Sequence, residues 1–205
     1  MTEIEVFLPR IMPAAPGCPE PTAMSAVIKA AQDFCERTRL WRDEDRFTVT
    51  PSSCNVVCAP QGADLFEIEH ALLDGRPLTP ISLHDLNRDM PDWRTREEPA
   101  GRWITQTEPG TVLVVPRCSG TLYLATTLKP ANDAELLPDF LARDYLQVIA
   151  DGALAEILML PGQPFTDPNR AQFYSMRFES RLSDLLNRSI KGQQRAKART
   201  RPQWF

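Results

Sequence analysis

Two histidines and five cysteines bound what this chain of 205 residues could ligate or catalyse. Cys54 and Cys58, separated by three residues, could be joined with His70 and His84 into a four-ligand zinc set. That spacing fits no common zinc pattern, and the four residues straddle an expected hairpin. The cysteines (Cys18, Cys35, Cys54, Cys58 and Cys118) are odd in number and scattered, which argues against a disulfide framework. The plainer reading is small apolar side chains in a reduced protein. Among the carboxylates, Asp43-Glu44-Asp45 and Glu97-Glu98 are expected in polar turns. Asp139, Asp144, Asp151 and Glu156 are expected along one helix, Asp139 in its first turn, where the dipole favours it, and the others on its wet face. His70 is placed in an alternating strand and His84 in a short capped helix. The chain has no Gly-rich phosphate loop, no G-x-S-x-G and no H-E-x-x-H. With no convergent constellation, the expectation is a protein that is not an enzyme and uses no metal or cofactor.

The chemistry that stands out is electrostatic. The chain ends in IKGQQRAKARTRPQWF, with basic residues, no acidic one and an aromatic tip. Six of the 23 basic residues lie at or beyond Arg188, so residues 1–187 carry 17 basic against 27 acidic side chains, a net charge of -10. An acidic body with a basic arm points to an interaction surface. The arm could track phosphates, with Trp204 stacking on a base. Against that, the body is acidic and no nucleic-acid motif is present. It could instead order on a protein partner, with Trp204 and Phe205 filling pockets and the arginines pairing with acidic groups. A solvated tail without a role is the third reading, for which Trp-Phe is an odd ending.

The elements that must carry these groups follow from periodicity and punctuation. Nineteen prolines fall between candidate elements rather than inside them. No apolar run has the length a membrane span needs, and the acidic start lacks signal-peptide character, so a cytoplasm-like compartment is expected. Residues 1–19 read as an extended lead-in. A helix follows, with Met24, Val27, Ile28, Ala31, Phe34 and Cys35 as its apolar stripe and Pro21 in its first turn. Residues 45–128 alternate and are rich in β-formers, with Asp74-Gly75 as a hairpin turn and Ser82 capping a short helix. This block reads as largely antiparallel. A helix is expected from Pro138 to about Leu160. Its Gly152 invites close helix approach. A last helix is capped by Asp167-Pro168, with Ala171, Tyr174, Phe178, Leu182, Leu185 and Leu186 as its buried stripe. The predicted fold class is α+β: a small bundle of three main helices (residues 20–44 and 129–192), a β-rich insertion between the first and second helices, and an extended arm at 193–205.

Three segments carry a resemblance: LPRIMPAAPGCPEPTAMSAVIKAAQDFCERTRLWRDE; MPDWRTREEPAGRWIT followed by VLVVPRCSGTLYLATTLKP; and LPDFLARDYLQVIADGALAEILMLPGQPFTDPNRAQFYSMRFESRL. In this order the chain resembles the head-to-tail adaptor (connector or head-completion) proteins of tailed bacteriophages. The resemblance implies a ring, commonly of twelve subunits, that sits under the portal in the virion neck after assembly in the host cytoplasm. The ring would extend the DNA channel and meet a downstream tail or nozzle protein. It implies that Gln193–Phe205 runs against the portal protein, making Arg195, Lys197, Arg199, Arg201, Trp204 and Phe205 portal-docking residues. An acidic body suits a channel that DNA passes through without sequence-specific binding, because carboxylates repel phosphate. A ring needs two different, complementary patches on each copy. The Asp74-Gly75 hairpin is a candidate for a subunit or tail contact. Trp93 and Trp103 are expected at the base of the β-block, one at a subunit interface. The alternatives are another neck or tail-completion protein, or a phage DNA-binding or packaging accessory factor using the arm.

Overall fold

The computed structural model describes residues 1–191. The chain divides into two units, one made of Met1–Leu40 and the chain from Pro130 onward, the other of Trp41–Lys129. Each is described by itself.

The helical unit opens with a two-residue strand, β1 (Thr2–Glu3), a 3-10 turn (Ile4–Phe7) and a short helix, α1 (Leu8–Ile11). This corrects the extended lead-in expected for residues 1–19. Pro9 falls in the first turn of α1, where its missing N–H breaks no helical bond. Ile4, Phe7, Leu8 and Ile11 all turn inward, so burial of four large side chains drives the coil. Helix α2 (Glu20–Thr38) starts with Pro21 in its first turn and stops at Arg39, which takes a left-handed conformation. Its buried side is alanine-rich, with Ala23, Ala26, Ala30 and Ala31 beside Val27, Phe34 and Cys35. Met24 and Ile28, expected in the stripe, are half-buried at its margin.

The second unit is built of two four-stranded sheets. In chain order its elements are β2 (Arg42–Val49), β3 (Asn55–Val57), β4 (Ala63–Leu73), β5 (Arg76–Pro77), β6 (Thr79–Pro80), α3 (Leu83–Asp89), β7 (Trp103–Thr105), β8 (Thr111–Val115) and β9 (Gly120–Pro130). The sheet orders are β2-β9-β4-β5 and β3-β8-β7-β6. Strands β2 and β9 pair antiparallel from Arg42↔Thr127 to Val49↔Gly120. Asp74 and Gly75 both have positive φ, 47° and 78°, as a two-residue hairpin turn requires. The block is largely antiparallel, as expected, with a parallel pair at one edge. Strands β6 and β7 run parallel, with Thr79 opposite Trp103 and Pro80 opposite Ile104. The segment between them, which contains α3, is the long connection that a parallel pair needs. Helix α3 is capped as expected, the Ser82 hydroxyl accepting the Asp85 N–H at 3.1 Å. Val49, Leu73, Val112, Val114, Leu122 and Leu124 form the main core of this unit.

The chain then returns to the helical unit. Strand β10 (Leu136–Leu137) pairs antiparallel with β1, and three helices follow: α4 (Asp139–Asp144), α5 (Leu146–Ile157) and α6 (Pro168–Lys191). The single helix expected after Pro138 is therefore two. It breaks at Tyr145, whose backbone leaves the helical region while its ring packs 4.8 Å from Phe34 and 6.2 Å from Phe140. Helices α2, α5 and α6 pack on one another. Gly152 sits where they meet: a Cβ there would lie 3.0 Å from Ala30 Cβ and from the Phe178 ring. The described residues make an α+β architecture of six α-helices and mainly antiparallel sheets. The expected bundle of three main helices is replaced by more numerous helices, the second expected helix being α4 and α5, while the short helix expected in the β-rich block is α3. No helix of the described residues is long and apolar enough to cross a membrane.

Candidate functional site

The residues best suited to chemistry are not brought together. Among the described residues, no three His, Cys, Asp or Glu side chains gather as a metal ion would require. Cys54, Cys58 and Cys118 are buried in the β-rich unit, whereas His70 and His84 are exposed. Burial pushes the Cys35 thiol up to about 12 and the Cys58 thiol up to about 11, so both stay protonated at neutral pH and are poor nucleophiles. Asp43, Glu44 and Asp45 lie within β2 rather than in a turn. Asp151, expected on a wet helix face, is buried in α5. Its Oδ1 accepts a hydrogen bond from Gln147 Nε2 at 3.0 Å. The α6 guanidinium of Arg177 reaches its other oxygen.

The β-rich unit contains a crevice of about 590 Å³, lined by Ile68, His70, Leu78, Ile81, Ile104 and Gln106 among others. It is open and mostly apolar. Glu69 borders it, but its carboxylate is engaged elsewhere, accepting from Arg42 Nε and Thr127 Oγ1 at 3.1 Å each. Ser82, also in its lining, donates its hydroxyl to Asp85 Oδ2 at 2.7 Å as part of the α3 cap.

The expected contact residues fall into separate places. Asp74 and Gly75 are exposed at the hairpin tip, and Asp74 Oδ1 accepts the Thr121 N–H at 2.8 Å, tying the turn to β9. Trp93 is 3% exposed, in a small cluster with Leu86 and Val115, and its indole N–H donates to Asn87 Oδ1 at 2.9 Å. A Trp so buried and satisfied holds α3 and its following loop. Trp103 is half-buried against the same cluster. The two tryptophans therefore share one cluster, and neither adjoins the hairpin tip in the sheet order. Arg195, Lys197, Arg199, Arg201, Trp204 and Phe205 lie outside the described residues.

A surface that sequence reasoning missed lies on α6. Its buried stripe is Ala171, Phe178 and Leu182, with Tyr174 and Leu185 half-buried and Leu186, expected inside, exposed. The reverse side carries a second apolar set, Phe173 at 50% and Met176 at 59% exposure, among Arg177, Ser180, Arg181 and Asp184. Those side chains line a shallow groove of about 460 Å³. Arg177 lies over the Phe173 ring, 5.5 Å from its centroid, and the same ring meets Tyr174 edge-on at 5.4 Å. The signal was present at positions 173, 176 and 180, whose helical spacing marks a second face. A surface of aromatic, Met and Arg side chains has the composition of a contact surface.

A family model described as SU10 adaptor protein, a phage head-to-tail adaptor family, matches residues 10–203. The chain belongs to that family. Comparison with the curated proteins found no match. Membership in the SU10 adaptor family makes this a structural phage protein of adaptor type, consistent with surfaces made for contact. The matched range spans both units.

Proposed function

We propose that the protein assembles as a ring of twelve copies beneath the portal, in the virion neck, and connects the capsid to the tail while extending the channel through which DNA passes. The observation that carries this reading is the adaptor-family match over residues 10–203. The charge distribution supports it. A net charge of -10 over residues 1–187 disfavours adhesion of DNA to the channel wall. The basic arm, with Arg195, Lys197, Arg199, Arg201, Trp204 and Phe205, supplies aromatic anchors and cations suited to an acidic groove on portal subunits. The β-rich unit, with the exposed Asp74-Gly75 tip, faces the tail or nozzle protein in this reading.

The test is electron microscopy of the purified portal of the same phage mixed with full-length protein or with a chain truncated after Gly192. Full-length protein is expected to add a ring to the portal, and the truncated chain is expected not to. A truncated chain that docks as well as the full one would remove the arm from the portal contact. If neither docks and the full-length chain alone shifts DNA at physiological salt, the packaging-accessory alternative replaces the adaptor reading.

A further inference from the structure

We infer that the outer face of α6 is one half of the contact between neighbouring copies, covered by an acidic, apolar corner of the next copy. That corner is built from residues 3–6 and 135–136. The inference rests on the ring reading above and names the two surfaces that close it. A cyclic, head-to-tail assembly needs two different patches on one chain that fit each other. The α6 face is the first. Phe173 and Met176 stand out from the helix on the side away from its buried stripe, flanked by Arg170, Arg177 and Arg181 and by a single carboxylate on that face, Asp184. The Phe173 ring is held between Arg177 and Tyr174, so little side-chain freedom remains to be lost on docking.

The second patch has the opposite charge and a similar apolar content. Strands β1 and β10 place Glu3 opposite Leu136, both exposed. Glu5 and Glu135 are exposed beside them in sequence, and Val6 (44%) and Leu136 (42%) are among the large hydrophobic side chains left in water. Glu3, Glu5 and Glu135, with the aliphatic Val6 and Leu136, are complementary to a helix face on which Arg170 and Arg181 flank a Phe and a Met, Arg177 being already paired with Asp151. The occupant is a second copy because both halves lie on one chain, on different elements of its helical unit. An acidic body would otherwise repel its neighbours, and α6 offers a cationic exception to that repulsion.

The experiment uses full-length protein and portal. The double variants Arg170→Glu/Arg181→Glu and Glu3→Lys/Glu5→Lys are each expected to lower ring occupancy on the portal by about tenfold or more, as like-charge juxtaposition in an interface does. All four substitutions together, made in one chain, are expected to restore occupancy to within about threefold. Melting curves of each variant check that the surface changes leave the fold intact. Independently, Met176→Cys/Leu136→Cys chains docked on the portal and treated with a short bismaleimide should give a ladder of covalent multimers. The buried native cysteines leave a low background. Normal wild-type rings with no charge-swap rescue and no ladder overturn the assignment of these surfaces while leaving the ring reading standing. A wild-type chain that forms no ring overturns both.

Discussion

Arg177 on α6 places its Nη2 3.1 Å from Oδ2 of Asp151 on α5, a pair whose two ends sit in different solvents. The guanidinium is 45% exposed and the carboxylate only 2%. Burial pushes the Asp151 carboxyl up, and the Gln147 hydrogen bond and the charges of Arg177 and Arg181 only partly offset it. The pair locks α6 against α5 and orients Arg177 over Phe173, but it does so with a carboxylate that is costly to keep charged.

The sign of the resulting pH dependence follows. An aspartate raised in the folded state holds its proton more tightly there, so its contribution to stability is full below the ordinary aspartate value of 3.8 and is lost as pH rises through the folded value. Asp151→Asn keeps an acceptor for Gln147 and removes the buried charge. Its stability relative to wild type, from urea melts, should improve as pH is raised from the ordinary aspartate value of 3.8 through the folded value, and stay level above it. A flat difference across that range would show that the carboxylate is not strained by burial.

Gly152→Ala sets helix propensity against space. Alanine gains about 1 kcal/mol as a helix former. The added Cβ meets Ala30 and Phe178 at 3.0 Å, on two different helices. Overpacking of this kind costs about 1–3 kcal/mol, so the net effect expected in chemical denaturation is a loss of about 1 kcal/mol. A gain would mean that α2 and α6 can separate without penalty.

Two glycines of the β-rich unit should respond to the same substitution for different reasons. Gly75 has open space around its Cβ position but a φ of +78°, so Gly75→Ala costs only backbone strain, about 1 kcal/mol. Gly101 has no positive φ, yet a Cβ there would overlap Val114 Cγ1 and crowd Leu73 and Cys118. Gly101→Ala should therefore cost about 2–3 kcal/mol and lower the melting temperature more than Gly75→Ala.

The thiols give a quick check of the packing. All five cysteines are buried. Ellman's reagent at about pH 8 should find essentially no reactive thiol in the native chain and all five after denaturation. Fast labelling of one or more in the native state would place an exposed thiol where the fold has none.

What could be read from the sequence was local. Asp167-Pro168 starting α6, Ser82 capping α3 and Asp74-Gly75 turning the β4–β5 hairpin all rest on contacts within a few residues. The departures are set by partners far along the chain. Tyr145 ends α4 because Phe34 on α2 receives its ring. Asp151 is dry because α6 covers it. Residues 4–11 coil because four apolar side chains find the helical core, which Pro9 disguises. The α6 outer face escaped notice because a helix with a satisfactory buried stripe invites no second one. Trp93 and Trp103 were expected at the base of the β-block, one of them at a subunit interface, and the hydrogen bond of Trp93 to Asn87 could not be seen from composition.

The β-rich unit leaves and rejoins the helical unit through neighbouring strands. Leu128 N–H donates to the Trp41 carbonyl at 2.8 Å, and Arg42 stands opposite Thr127. Entrance and exit of the inserted segment are thus side by side, and closing so short a gap costs little chain entropy. The insertion should therefore be separable: excision of residues 41–129, with Leu40 joined to Pro130 by a few glycines, is expected to leave the helical unit folded. A lineage could in this way rewrite one unit while keeping the other.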